Sequence, residues 1–163
     1  MLTISIAKST QDFQNIATLA DIIWREHYIP MIGLPQVNYM LGKFQSVNAI
    51  AHQVANGFEY YLLQYENVSV GYISIKKETG VLFLSKFYVL SEYRGKNIGR
   101  EALIFIEEKA KIYNLEKIRL TVNVNNLKSI KVYETFGFNN VGSVVIDIGK
   151  GFVMDDFEMV KKL

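Results

Sequence analysis

The sequence predicts an α/β (α+β) domain, and three observations carry that expectation. Segments whose apolar residues alternate with polar ones are interleaved with segments whose apolar residues recur at helical spacing. The run Val81 to Leu84 is apolar at every position and resumes at Val89 and Leu90, as a central strand covered on both faces would. That strand leads into a cationic, glycine-punctuated turn, Arg94-Gly95-Lys96-Asn97-Ile98-Gly99. Behind the turn Ile98, Ala102, Phe105, Ile106, Ala110 and Tyr113 mark one face of a helix.

The elements follow in order. Leu2, Ile4 and Ile6 alternate with polar residues, giving a first strand over Met1 to Ala7. Ser9 or Thr10 caps a helix from Asp12 to about Tyr28 in which Phe13, Ile16, Leu19, Ala20, Ile23, Trp24 and Tyr28 keep helical spacing. Pro30, Gly33 and Pro35 predict a loop, and one further helical region runs from Gln36 to about Ala55. Phe58 to Tyr65 and Ser69 to Lys76 read as a hairpin turning at Glu66-Asn67-Val68. Beyond the central strand and its helix, Ile118, Leu120, Val122 and Val124 alternate with polar residues. A helix capped by Asn125 or Asn126 follows, then two strands, Phe138 to Asp147 and Phe152 to Lys161, around Gly149-Lys150-Gly151. The order is β-α-α-β-β-β-α-β-α-β-β.

Composition narrows the function. A chain of 163 residues that is 50% hydrophobic and 21% charged reads as one soluble domain over residues 1–163, without repeats or linkers. No apolar run reaches membrane-spanning length and the N-terminus lacks the sections of a signal peptide, so the expected compartment is the cytoplasm. The absence of cysteine excludes a cysteine acyl-enzyme and leaves direct transfer open to any acyl chemistry. A net charge of +2 without a basic, aromatic-interleaved block argues against nucleic acid. His27 and His52 have no companions at metal spacing, so both read as structural or surface residues and no metal is expected.

The glycine turn opening a helix offers unpaired backbone N–H groups and partial positive charge, a setting for phosphate. It is neither a Walker A loop nor the three-glycine dinucleotide fingerprint. The pattern aromatic-x-Val followed by Arg/Gln-x-x-Gly-x-Gly/Ala, here Phe87-Tyr88-Val89 and Arg94 to Gly99, resembles the acetyl-CoA motif of the Gcn5-related N-acetyltransferase (GNAT) superfamily. Asn97 replaces the usual first glycine, and asparagine tolerates left-handed backbone best among the other residues. Asn126, Ser129, Tyr133, Gly137 and Phe138 fall where the superfamily's second signature, Asn-x-x-Ala/Ser-x-x-x-Tyr-x-x-x-Gly-Phe, places them.

The resemblance implies a mixed, mostly antiparallel seven-stranded sheet with helices on both faces, splayed between strands four and five. In the gap, backbone groups of Phe87, Tyr88 and Val89 would pair with the pantetheine arm of acetyl-CoA. The Val89 N–H would face the thioester carbonyl, a donor worth roughly 3 kcal/mol of barrier. The amides from Asn97 through Ile98 and Gly99 to Arg100 would hold the pyrophosphate, with Gly95 in the turn and Arg94 and Lys96 adding charge. Asn126 and Ser129 would contact the cofactor, and Tyr133 would protonate the departing thiolate.

Many relatives carry a strand glutamate where this chain has Ser85. The general base therefore falls to Glu26, Tyr28 or an ordered water chain. Tyr28, Tyr39, Phe44, Ser85 and Asp155 are the candidate acceptor contacts.

A C-terminal Gly-x-x-x-Met-Asp-Asp-x-x-Met loosely resembles the bacterial polyamine acetyltransferase branch, which points to a primary amine such as spermidine or spermine. A protein N-terminus or lysine, an antibiotic amine, and a non-catalytic acyl-CoA-binding module are the alternatives. The implied partners are acetyl-CoA and a small-molecule or peptide amine, with homodimer formation open and neither nucleic acid nor membrane expected.

Overall fold

A computed structural model describes residues 1–163. The first strand, β1 (Leu2–Ile6), is followed by three helices, α1 (Thr10–Ile32), α2 (Leu34–Phe44) and α3 (Val47–Ala55). The chain continues as β2 (Phe58–Tyr65), β3 (Val68–Glu78), β4 (Val81–Val89), a short 3₁₀ turn (Ser91–Tyr93) and α4 (Ile98–Ile112). It ends with β5 (Lys117–Asn123), α5 (Leu127–Thr135), β6 (Asn139–Gly149) and β7 (Phe152–Lys162). The strands form one seven-stranded sheet in the order β1-β2-β3-β4-β5-β7-β6, antiparallel except where β4 meets β5. No helix is long and apolar enough to cross a membrane.

Each sheet face has its own core. Leu82, Leu84, Leu120 and Val122 pack beneath α4 and the inner side of α5, with Ile98, Ala102, Leu103, Ile106 and Ala110 opposite them. The other face meets α1 to α3 through Trp24, Ile23, Val37, Met40, Ile50, Tyr60 and Tyr72. Phe83, expected to be covered on both faces of a central strand, is only half-buried and carries the Arg119 guanidinium 4.1 Å from its ring centroid.

Three local differences from the sequence reading have physical causes. The first helix continues through Pro30 to Ile32, because packing of Tyr28, Ile29 and Ile32 on the second core outweighs one missing amide in the last turn. The expected loop shrinks to Gly33, whose φ of 86° redirects the chain, and Pro35 enters the first turn of α2, where its N–H is not needed. The second helical region is two helices, broken at Gln45 so that Ser46 caps α3 through the Ala49 N–H. The β2–β3 turn matches its chemistry: Glu66 and Asn67 are both left-handed, the hairpin geometry that follows the sheet's twist.

One irregularity shapes the middle of the sheet. In the β3–β4 ladder Ile75 pairs with Leu84 but Ser74 pairs with Lys86, so Ser85 is an extra residue, a β-bulge. Side-chain parity flips across it. Leu82 and Leu84 face α4; beyond the bulge Phe87 and Val89 take that face, while Tyr88 joins the α1–α3 side. Gly71, opposite Val89, makes this approach feasible, since a Cβ there would lie 2.2 Å from the Tyr88 carbonyl oxygen. Gly71→Ala is therefore expected to destabilise the protein by about 1–3 kcal/mol, seen as a lower urea midpoint at unchanged m-value.

Candidate active site

β4 and β5 are joined only at Val81–Lys117, Leu82–Ile118 and Phe83–Arg119, and beyond Phe83 they part. The opening holds a cavity of about 1090 Å³ that runs from the turn before α4 to the space beneath α1 and α2. Its floor is the free edge of β4. Leu90 N–H bonds the Val70 carbonyl of β3 at 2.8 Å. Because N–H directions alternate along a strand, those of Phe87 and Val89 point the other way, into the gap.

At one end, Gly95 has a φ of 80° and Asn97 a φ of 62°, the left-handed angle that its residue type tolerates, and Asn97 is the N-cap of α4. The first-turn amides of α4 are thus presented without side-chain caps. The Phe87 ring lies against that turn, 3.8 Å from where a Cβ on Gly99 would stand. Arg94 and Lys128 line the cavity here. The side chains of Lys96, Asn97 and Arg100 do not: they border a separate depression beside Met1, Leu2 and Tyr65. The left-handed Asn97 sends its neighbours to that outer side, and Ile98 is core, 1% exposed. Arg94, Gly95 and Gly99 are the residues of this stretch that line the cleft, and the charge expected of Lys96 is delivered elsewhere.

Along the opposite wall, Asn126 is buried, caps α5 by accepting the Ser129 N–H, and neighbours Ser129 and Tyr133, all three lining the cleft. Burial pushes the Tyr133 phenol well above its ordinary value, so it keeps its proton at neutral pH.

At the far end Tyr28 and Tyr88 line the cavity. Tyr28 and Tyr88 share a 2.9 Å hydrogen bond between their hydroxyls, and burial pushes Tyr28 up to about 12, which leaves it a neutral phenol rather than a base. Phe44 and Ser85 line the cavity as expected. Glu26 does not. It lies exposed on the outward side of α1, where its carboxylate accepts from the Ser91 hydroxyl at 3.4 Å.

Tyr39 is also outside. Its hydroxyl donates to the Ile148 carbonyl at 2.5 Å and pins α2 to the β6–β7 hairpin. Asp155 is exposed, and strand alternation instead turns its neighbour Asp156, 3% exposed, into the cavity.

His27 and Lys86 line the cavity without having been given a role there, and Asp156, one acid of the C-terminal cluster suited to a polycation, lines it in place of Asp155. His27 was read as structural or surface; here burial and then Arg94 lower its pKa, so it is neutral at pH 7. Lys86 is turned inward by the bulge, and its burial lowers its pKa to about 8 against the opposing pull of Asp156. Burial raises Asp156 to about 6. The alternation Asp155/Asp156 was visible in the sequence; the bulge at Ser85 was not.

The chain shares its fold with solved N-acetyltransferases. It overlays a PaiA N-acetyltransferase from Thermoplasma acidophilum in complex with coenzyme A at a TM-score of 0.81, with 20% identity and 99% of each chain covered. A ribosomal-protein-alanine N-acetyltransferase from Brucella melitensis overlays at 0.73, with 21% identity and 99% of each chain. These likenesses establish the GNAT fold. The Acetyltransferase (GNAT) family model matches residues 16–138, and the chain belongs to that family. A spermine/spermidine N(1)-acetyltransferase of Bacillus subtilis is 31% identical over 68 residues, 41% of this chain and 45% of the relative, so the match spans less than half of that protein.

The Asp156 shift has a consequence for stability. Between the ordinary carboxylate value of 3.8 and about 6 the folded state binds more protons than the unfolded state, so this group's contribution to stability falls as pH rises through that window. Asp156→Asn removes the dependence. Urea titrations at pH 4 and pH 7 should show the stability difference moving in the variant's favour by on the order of 2–3 kcal/mol at the higher pH.

Proposed function

We propose that the cleft binds acetyl-CoA and that the protein transfers its acetyl group directly to a primary amine. The parting of β4 from β5 beyond Phe83 carries this reading, because it leaves the Phe87 and Val89 N–H groups free to pair with an extended acyl-pantetheine arm, as an added strand would. The residues fit the cofactor. The uncapped first turn of α4 suits its diphosphate, Arg94 and Lys128 supply charge, and the open space at Gly95 lets a ligand approach the backbone. Bound there, acetyl-CoA supplies the activated acyl group.

The residues then have separable tasks. The Val89 N–H stabilises the charge that develops on the acyl oxygen. Asn126 and Ser129 hold the arm in place. Tyr133, still protonated, donates to the departing sulfur. A spermidine-like acceptor is the substrate class supported by the partial similarity to the Bacillus enzyme, and the cavity beneath α1 and α2 has the room for it. Release of free thiol on mixing the protein with acetyl-CoA and a panel of polyamines, amino acids and peptide amines tests the activity. Thiol released in step with an acetylated amine is expected; acetyl-CoA binding without release from any amine would instead identify a binding module. Tyr133→Phe should lower kcat by roughly 10²- to 10⁴-fold while acetyl-CoA affinity stays near that of the wild type.

A further inference from the structure

We propose that Asp156 receives the acceptor's ammonium group and takes its proton, and that Lys86 acts through Asp156 as a positioning residue. The inference rests on the acetyl-transfer reading and supplies the base that this reading lacks.

Of all the residues that line the cavity, Asp156 is the only carboxylate. It is 3% exposed, yet it belongs to none of the ion pairs in the structure, which involve Glu66, Asp21, Glu78 and Glu107. A buried carboxylate without a salt bridge costs stability, and such groups cluster where chemistry requires them. Its place on the sheet is defined by pairing. Asp156 stands opposite Asn123 of β5 and Val144 of β6, and paired residues share a face. Lys86, turned by the bulge, stands opposite Ser74, which itself pairs with Tyr60 of the α1–α3 core. Both charged groups therefore project from one face of the sheet into the space under α1 and α2, one from each side of the parted strands.

The groups around Asp156 are few. Lys86 faces it from β4, Tyr28 from α1 and the Thr121 hydroxyl from β5, and Asp155 precedes it on its own strand. Burial and Asp155 disfavour its charge, while Thr121 and Lys86 favour it. At neutral pH it is a carboxylate whose affinity for a proton exceeds that of a surface acid. Tyr28 is too weakly acidic to compete, and the Lys86 ammonium donates to the Ser85 hydroxyl at 3.0 Å.

The protons balance. The acceptor R–NH3⁺ gives one proton to Asp156, which passes it to solvent. The freed amine bonds to the acyl carbon as the carbon–sulfur bond breaks. The second nitrogen proton replaces the one that Tyr133 gives to the departing sulfur. The products are the amide, free thiol and one released proton.

The test is the pH profile of kcat/KM for the wild type, Asp156→Asn and Lys86→Met, with spermidine or the best amine of the panel, and acetyl-CoA affinity measured alongside. The wild-type profile should rise through a limb near pH 6. Asp156→Asn should lose that limb and fall roughly 100-fold or more at pH 7. Its deficit should shrink toward pH 10, where the amine arrives already neutral, and its acetyl-CoA affinity should not change. Lys86→Met should move the limb to higher pH, with a several-fold loss at pH 6. An Asp156→Asn profile within threefold of wild type at pH 7, or a deficit constant from pH 6 to 10, overturns the assignment and leaves the acetyl-transfer reading standing. If that variant does not fold, an unmoved limb in Lys86→Met overturns it. No thiol from the wild-type protein with any amine overturns both.

Discussion

The cleft depends on the extra residue at Ser85. A regular β4 would keep Leu84, Lys86 and Tyr88 on one face, burying two polar side chains under α4 in place of Phe87 and Val89. The bulge inserts one residue into the ladder with β3 just beyond the last pairing with β5 at Phe83, and a bulge bends the strand that carries it. One local irregularity thus produces both halves of the site: a free backbone edge for an extended ligand, and a sheet face on which Lys86 and Tyr88 look into the acceptor space. Gly71 is its counterpart on β3, since any side chain there would push against the Tyr88 carbonyl.

The roof over this space is held by a buried polar chain. Trp24 donates to the Tyr72 hydroxyl at 3.0 Å, Tyr72 donates to Gln45 at 2.6 Å, and Gln45 donates to the Tyr60 hydroxyl at 3.1 Å. The chain joins α1 and the α2–α3 break to β2 and β3. Each donor is matched by an acceptor in a region where an unmatched one would cost about 1–3 kcal/mol. On the other side Tyr39 ties α2 to the β6–β7 hairpin. Walls fixed at both ends suit a pocket that must hold an amine in line with a thioester, because a misplacement of about 1 Å erodes such a reaction strongly.

Much of this was legible in the chain. The order of elements followed from periodicity, and Asn97 and Asn126 took the turn and cap positions that their chemistry favours. What was illegible depended on tertiary packing. Pro30 signalled a helix end that packing on Trp24 and its neighbours overrode. Lys86 gave no sign of its inward direction, because a bulge leaves no mark in a simple alternation. Glu26, Tyr39 and Asp155 had suitable chemistry but were assigned by segment rather than by face; the side they occupy is set by how α1, α2 and β7 sit on the sheet.

The central claim is that the free edge of β4 takes an extended acyl-CoA. Amide hydrogen exchange at Phe87 and Val89, followed with and without acetyl-CoA, addresses it most directly. Both amides point into the gap without a strand partner, so the account predicts that they exchange readily in the free protein and slow markedly when the ligand binds. Saturating acetyl-CoA that leaves both amides exchanging at the same rate would contradict it.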